Sequence, residues 1–382
     1  MNAECRRQKA EKRRRFFCIL PSAFCILSAL NLLAAPADSW LRSHAIPLAS
    51  VEPSADDSDL APLLPLVANA HVIGLGDATH RTHEFYAVKQ RLIRFLVKNA
   101  NVRTIAFEAP FGEFEGIREY VRTGAGDPAA LLRNDDYFFW NTDEVLDTIR
   151  WVRAWNAAGN PPVDIIGVDP FHTRTSIARL APFVGDDAYR CIDRLTIASS
   201  QRSRDACHAA VMSVRPALTS PEAIYAARIV EEGEESLDRD SAMAENLERF
   251  ADRAGSGNFI FWAHNEHVGR NGRSAGQLLT DRYAAGYVAI GTIALRGSFN
   301  AVDGLHAMGD ATSDDFASMF AAASIPRMIV PLRALPPSLA GTHPMRIAGS
   351  DSQTTAIIDA DLAKQFDAMI YIEVTTPARV RP

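Results

Sequence analysis

The chain has 382 residues, with 40 Lys and Arg against 46 Asp and Glu and a formal net charge of -6. That length accommodates one large α/β body carrying an inserted subdomain around a sizeable buried core. Beyond Arg15 no basic block remains that could track a phosphate backbone, so the expected partners include no nucleic acid.

Residues Arg6 to Arg15 are strongly basic, Phe16 to Ala35 (FFCILPSAFCILSALNLLAA) are apolar, and the small-residue run LAAPADS follows. A charged start, an apolar core and small residues at its end read as a secretory signal, so residues 1–38 are expected to be a signal peptide or an extension outside the fold. The mature chain is then periplasmic or secreted. The length of the apolar run and Pro21 keep an uncleaved anchor open, and a cytoplasmic chain folding from near Trp40 is the alternative if the extension is no signal. No stable membrane insertion of the 39–382 body is expected. Cys5, Cys18 and Cys25 lie in the extension, which leaves Cys191 and Cys207 as a candidate disulfide in an oxidising compartment.

In chain order, Trp40 to Ile46 reads as a short amphipathic helix, and LAPLLPLVANA as a second short helical piece after a polar linker. HVIGLG then reads as a buried strand ending in glycines, which permit a sharp turn or a close backbone approach. Phe85, Val88, Leu92, Ile93 and Leu96 recur with helical spacing, so GLGDATHRTHEFY spans a strand-to-helix junction. The cycle repeats through VRTIAFEAP, whose end presents Glu108, and Val163 to Val168, ending at Asp169. Between them, Asn141 and Glu144 form a candidate capping pair before the LDTIRWVRAW helix.

Residues 171–254 read as mainly helical, an insertion expected to form a lid or cleft wall. NFIFWAHNEHV follows as an apolar strand leading into a histidine cluster, and YVAIGT, RMIVPLR and DAMIYIEV are further short strands. Their connections, notably LPPSLAGTHP, read as surface loops. Strands alternating with helices predict an α/β fold with a central, mostly parallel or mixed sheet flanked by helices, and functional side chains belong at the carboxyl ends of its strands.

Three strand ends therefore form the candidate site: Asp77 and His80, then Glu108, then His264 and His267. An imidazole beside a carboxylate takes a proton from water near neutral pH, and a second imidazole assists a leaving oxygen or a developing oxyanion. Such a set hydrolyses an ester or lactone with no serine intermediate. Taken singly, each residue also has a structural explanation. Asp77 caps the helix after Ala78, His80 is a hydrogen-bonded junction residue, Asn265 forms a turn, His267 donates to a backbone carbonyl, and His83 and Glu266 face solvent. A buried Glu108 is harder to explain away, because it needs hydrogen bonds or a countercharge.

His80-Arg81-Thr82-His83 does not match H-E-x-x-H, and no metal or cofactor is expected. A serine nucleophile elbow with its triad order is not expected, and no G-x-G-x-x-G occurs.

GLGDATHRTHEFY resembles the signature of the erythromycin esterase family, and the agreement extends through AFEAP, the W-N-T-D-E and I-R-W-V-R-A-W-N segments, IIGVD, RDSAMAEN at Arg239 to Asn246, and FWAHNEHVGR. It covers roughly residue 39 to the C-terminus. The resemblance implies a metal-independent α/β enzyme that hydrolyses a macrolide lactone or another carboxylic ester. It implies His80 as the water-activating histidine, Asp77 and Glu108 as the acidic residues, and His264 and His267 as the later pair. Lys89 matches a basic position that contacts a carbonyl or a site carboxylate, and Arg81 is a candidate substrate contact. Asp77 stands where glutamate is usual, and Arg81 and Glu266 stand where glycine is common. The alternatives are a metal-dependent hydrolase and a non-enzymatic binding protein of the envelope or its polysaccharides.

Overall fold

The computed structural model describes residues 36–53, 56–112, 114–133, 139–170, 209, 212–220, 223–228, 238–254, 257–348 and 356–382. The expected signal segment up to residue 35, the Cys191 and Cys207 pair, and most of the expected 171–254 insertion lie outside these residues.

A nine-stranded mixed sheet organises the chain. Its strands are β1 (Ile46–Pro47), β2 (Val72–Asp77), β3 (Val102–Pro110), β4 (Asp164–Asp169), β5 (Asn258–His264), β6 (Tyr287–Ala301), β7 (Gly304–Ala307), β8 (Arg327–Pro331) and, after two strands outside this sheet, β11 (Ala368–Thr375). Spatial order is β1-β8-β11-β6-β2-β5-β3-β4, with β7 paired to β6. The strands from β11 to β4 run parallel, whereas β8, β1 and β7 pair antiparallel. The expected α/β fold with a mixed, mostly parallel sheet is thus observed.

Side chains alternate between two cores. Ile73, Leu75, Ile260 and Trp262 pack with the helices His83–Asn99, Glu115–Thr123 and Asp143–Ala157. Val72, Phe259, Phe261 and Ala263 face the helices Arg239–Ala254, Ala275–Tyr283 and Phe316–Ala321. Burial on both faces is what a parallel sheet requires, because the helical crossovers cover each side. Among the described residues no helix is long and apolar enough to cross a membrane.

The glycines of β2 serve close approach rather than a turn. A Cβ on Gly74 would stand 2.5 Å from the Tyr287 hydroxyl, and one on Gly76 would stand 2.4 Å from Asn265 Oδ1. Asn265 needs that space, since its amide bonds both Thr292 O (2.8 Å) and Thr292 N (3.1 Å) and so ties β6 to the end of β5. It is a cross-strand tie, not merely a turn former.

Three local expectations change. The first short helix is Ala37–His44, which begins earlier than the apolar pattern indicates. Thr142, and not Asn141, caps the Asp143–Ala157 helix, accepting from Val145 N at 3.3 Å, while Glu144 turns to His83. The breaker-rich segment after Leu335 leads into β9 (His343–Ile347), which pairs antiparallel with β10 (Ala356–Ala360) in a separate two-stranded sheet. β10 is only five residues long and mostly exposed, with Ile357 facing solvent.

Candidate functional site

Because β2, β5, β3 and β4 are adjacent and parallel, their carboxyl ends set Asp77, His264, Glu108 and Asp169 side by side. Asp77 and His264 are direct register partners. This is the edge at which open α/β sheets assemble ligand sites.

Asp77 is fully buried and pairs with the Lys89 ammonium, which reaches it from the His83–Asn99 helix. Lys89 also donates to Ala263 O at 3.3 Å and lies 5.3 Å over the Trp262 ring. Burial works against the Asp77 carboxylate, but the Lys89 and His80 charges outweigh it and hold the carboxyl below its usual range. Burial also lowers Lys89 to about 8, against the pull of Asp77. The pair is therefore ionised at neutral pH, with Lys89 the first to lose its proton on alkalinisation.

Asp77 does not cap a helix, because the helix begins at His83 behind Thr82. Its other oxygen approaches His80 Nδ1 to 2.7 Å, without the alignment of a hydrogen bond. His80 Nε2 stands 3.9 Å from Glu108 Oε2, and the ring packs 5.0 Å from Phe139 and 5.2 Å from His264. The imidazole is thus held edgewise between two carboxylates, almost wholly out of solvent.

Glu108 divides its two oxygens between two groups of partners. Oε2 accepts the backbone N–H of His264 at 2.8 Å and faces His80. Oε1 accepts from Arg239 Nη2 at 2.7 Å and lies 3.3 Å from His267 Nε2. Burial pushes this carboxyl up, yet the charges of His267 and Arg239 dominate and keep it well below its ordinary value. Arg239 also holds Asp169 through Nε at 3.1 Å and through Nη2. His267 Nδ1 meets Asp240 Oδ1 at 2.8 Å. Burial lowers the imidazolium's hold on its proton, but Glu108 and Asp240 raise it to about 10.

His264 is engaged at both nitrogens. Nδ1 lies 3.4 Å from Glu266 N and 3.5 Å from Glu266 Oε2, and Nε2 lies 3.1 Å from Ala78 O. Glu266 itself is half-exposed.

His83 leaves the cluster and does not face open solvent. Nδ1 lies 2.7 Å from Glu144 and Nε2 3.0 Å from Glu52. Arg81 adopts φ of 52°, the left-handed region that favours glycine. Its carbonyl accepts from Ala378 N at 2.8 Å, and its Nη1 donates to Ala301 O at 3.1 Å, which ties the junction to the end of β6 and to the C-terminal tail.

The structure therefore brings Asp77, His80, Lys89, Glu108, His264 and His267 together. Arg239 and Asp240 are additional members that sequence reasoning did not single out. Both begin RDSAMAEN, so the family-like block contained the signal, but nothing in its spacing identified which polar residues turn inward. Among the described residues no group of three His, Cys, Asp or Glu side chains has metal-holding geometry.

Fold and site define an open, mostly parallel α/β protein with a buried histidine and carboxylate centre at its strand ends. The family model for erythromycin esterase matches residues 97–212 and 186–375. This chain belongs to the erythromycin esterase family. An Escherichia coli erythromycin esterase type II is 26% identical over 132 residues, 35% of this chain. The alignment spans 31% of that relative's length. A Bacillus cereus protein of known structure is 25% identical with a TM-score of 0.77, covering 91% of this chain and 98% of its own. A mutant of the erythromycin esterase EreC in its open conformation matches with a TM-score of 0.68 at 17% identity, over 86% of this chain and 97% of its own.

Proposed function

We infer that the protein is a hydrolase that cleaves a carboxylic ester, a macrolide lactone among the candidates, with water activated by His80. The observation that carries this reading is the His80 ring held between Asp77 at 2.7 Å and Glu108 at 3.9 Å. The second gap is too wide for a direct hydrogen bond, but one water making two bonds of about 2.8 Å spans it. His80 Nε2 accepts a proton from that water as its oxygen attacks the ester carbonyl, and the buried Asp77 stabilises the imidazolium formed. Lys89 keeps Asp77 ionised and in place, and Glu108 orients the water. Membership of the family supports ester hydrolysis, and the serine of the G-x-S-x-G string at Gly272–Gly276 is spent on structure, which favours direct attack by water. Ser274 Oγ donates to Gly269 O at 2.5 Å and caps the Ala275–Tyr283 helix by accepting from Gln277 N at 3.1 Å.

The test is mass-resolved screening of macrolides and varied esters with the full chain and with His80→Ala. Gain of one water's mass by a substrate, lost in the variant while the fold persists, is the expected result. Equal turnover by both proteins would overturn the role of His80.

A further inference from the structure

Two histidine and carboxylate pairs flank Glu108, one on each oxygen. Asp77 faces His80 Nδ1, and His80 Nε2 points to Glu108 Oε2. Asp240 faces His267 Nδ1, and His267 Nε2 points to Glu108 Oε1. The first pair comes from the β2 junction. The second combines the start of the Arg239–Ala254 helix with the short Asn265–Val268 helix after β5.

We propose that Asp240 is the positioning residue of the second pair, fixing a proton on His267 Nδ1 so that Nε2 delivers a proton to the leaving oxygen. This deepens the hydrolytic reading and rests on it.

The charges around His267 support the assignment. From β3 comes Glu108, from β4 Asp169, and from the Arg239–Ala254 helix Asp240 and Arg239; Glu266 lies on the ring's own helix. Glu108, Asp169 and Asp240 gather negative charge around Arg239 and the ring. Protonation supplies a second cation where unpaired charge is costly. Arg239 Nη1 stands 3.0 Å from the same Nε2. Once that nitrogen has given up its proton, it accepts from Arg239, so both protonation states have a partner. Asp240 accepts from Nδ1 in each, as the orienting carboxylate of a histidine does.

The first pair starts the cycle empty and the second starts it loaded. Water loses a proton to His80 Nε2 as its oxygen bonds to the carbonyl carbon, whose π pair moves to oxygen. That pair returns as the carbon to leaving-oxygen bond breaks, and the leaving oxygen takes its proton from His267 Nε2. Transfer of a proton from His80 back to His267, through solvent or Glu108, restores both, and the balance is ester plus water to acid plus alcohol.

The test uses Asp240→Asn in the full chain. Asp240 also accepts from Ala275 N at 2.8 Å, and the asparagine carbonyl retains an acceptor there, so thermal melting serves as the fold control. Nitrogen-detected NMR titration of His267, read without substrate, should show the proton released at least about tenfold more readily in the variant. Hydrolysis of an alkyl ester should slow by about a hundredfold or more. A nitrophenyl ester, whose leaving oxygen departs without a proton, should change by less than about threefold, because proton donation to it contributes little. An unaltered His267 titration, or equal slowing of both esters, overturns the proposal. If the unmodified protein hydrolyses no ester, the hydrolytic reading fails, while the titration still decides whether Asp240 governs His267.

Discussion

His80 and His83 lie three residues apart in the same motif, and each stands between two carboxylates, yet they belong to different kinds of structure. His83 closes on both partners at hydrogen-bonding distance, Glu144 at 2.7 Å and Glu52 at 3.0 Å, while Glu144 also receives Arg379 N at 3.2 Å. Around it, Glu84 accepts the Thr376 N–H at 2.7 Å, and isolated bridges join Thr82 to Pro377 and Thr142 to Val380. That region is a staple for the C-terminal tail. His80 makes one close contact and stands 3.9 Å from Glu108, beyond direct hydrogen-bonding distance. The Glu144 and Glu52 contacts of His83 serve the tail, whereas His80 Nε2 faces an ionised carboxylate beyond direct bonding distance and can exchange a proton through water.

Exchanging the two roles is the sharpest way to break this contrast. His80→Ala should lower ester turnover by about a hundredfold to ten-thousandfold, with far-ultraviolet circular dichroism unchanged; His83→Ala should keep turnover within about threefold, because no step of general acid or base catalysis is assigned to it. Comparable losses from both, measured by product mass, would erase the distinction.

Lys89→Ala tests whether the support beneath His80 is as demanding as the site itself. It leaves Asp77 buried without its cation, and breaking a buried pair costs about 3–5 kcal/mol. The expected result is a much earlier denaturant midpoint together with loss of turnover. A variant as stable as the parent would show that Asp77 finds its compensation elsewhere.

The staple should register in pH rather than in rate. Hydrogen bonds to Glu144 raise the pKa of His83 against the opposing effect of burial, so the folded chain binds the proton more tightly than the unfolded one. The stability this supplies is complete below the unfolded histidine value of about 6.5 and is lost as pH rises through the higher folded value. His83→Gln should therefore destabilise by about 1 kcal/mol, a figure reduced because Glu52 is half-exposed, and should flatten that pH dependence. Denaturation midpoints across the neutral range check it.

The smallest effect is expected between the two histidines. Arg81→Gly removes the left-handed strain of a side-chain-bearing residue, worth about 1 kcal/mol, but loses the Ala301 contact and adds unfolded-state freedom. A net change below about 1 kcal/mol is expected on these opposing terms. A loss of several times that in the denaturation midpoint would make the Arg81 guanidinium a principal tie.

The legible part of the site was the part attached to strand ends. Apolar runs ending at Asp77, Glu108 and His264 announce buried strands, and a parallel sheet presents such ends on one edge. Lys89 was legible as a basic residue on the first helix, though not its choice of Asp77 over a substrate carbonyl. Arg239 and Asp240 were concealed because they open a polar helix that follows a long, charged segment, and their inward turn depends on Glu108, Asp169 and His267, each distant in the chain. The β9 and β10 pair was concealed differently: in β9 the buried Met345 and Ile347 are interrupted by Arg346 and preceded by His343 and Pro344, while β10 is short and mostly exposed.

By itself the sequence determined the alternation of strands and helices, the two-faced burial of the central strands, and the acids and imidazoles that must emerge at their ends. Those features depend on periods of two and 3.6 residues and are local. Only the tertiary structure decided that β5 lies between β2 and β3, which brings His264 against Asp77 and its backbone N–H onto Glu108. It also decided that His80 stands beyond direct bonding distance of Glu108 while His83 closes on both Glu144 and Glu52. Partner choice among like-charged side chains is a matter of which backbones are neighbours and how much water remains between them, and neither is encoded in spacing along the chain.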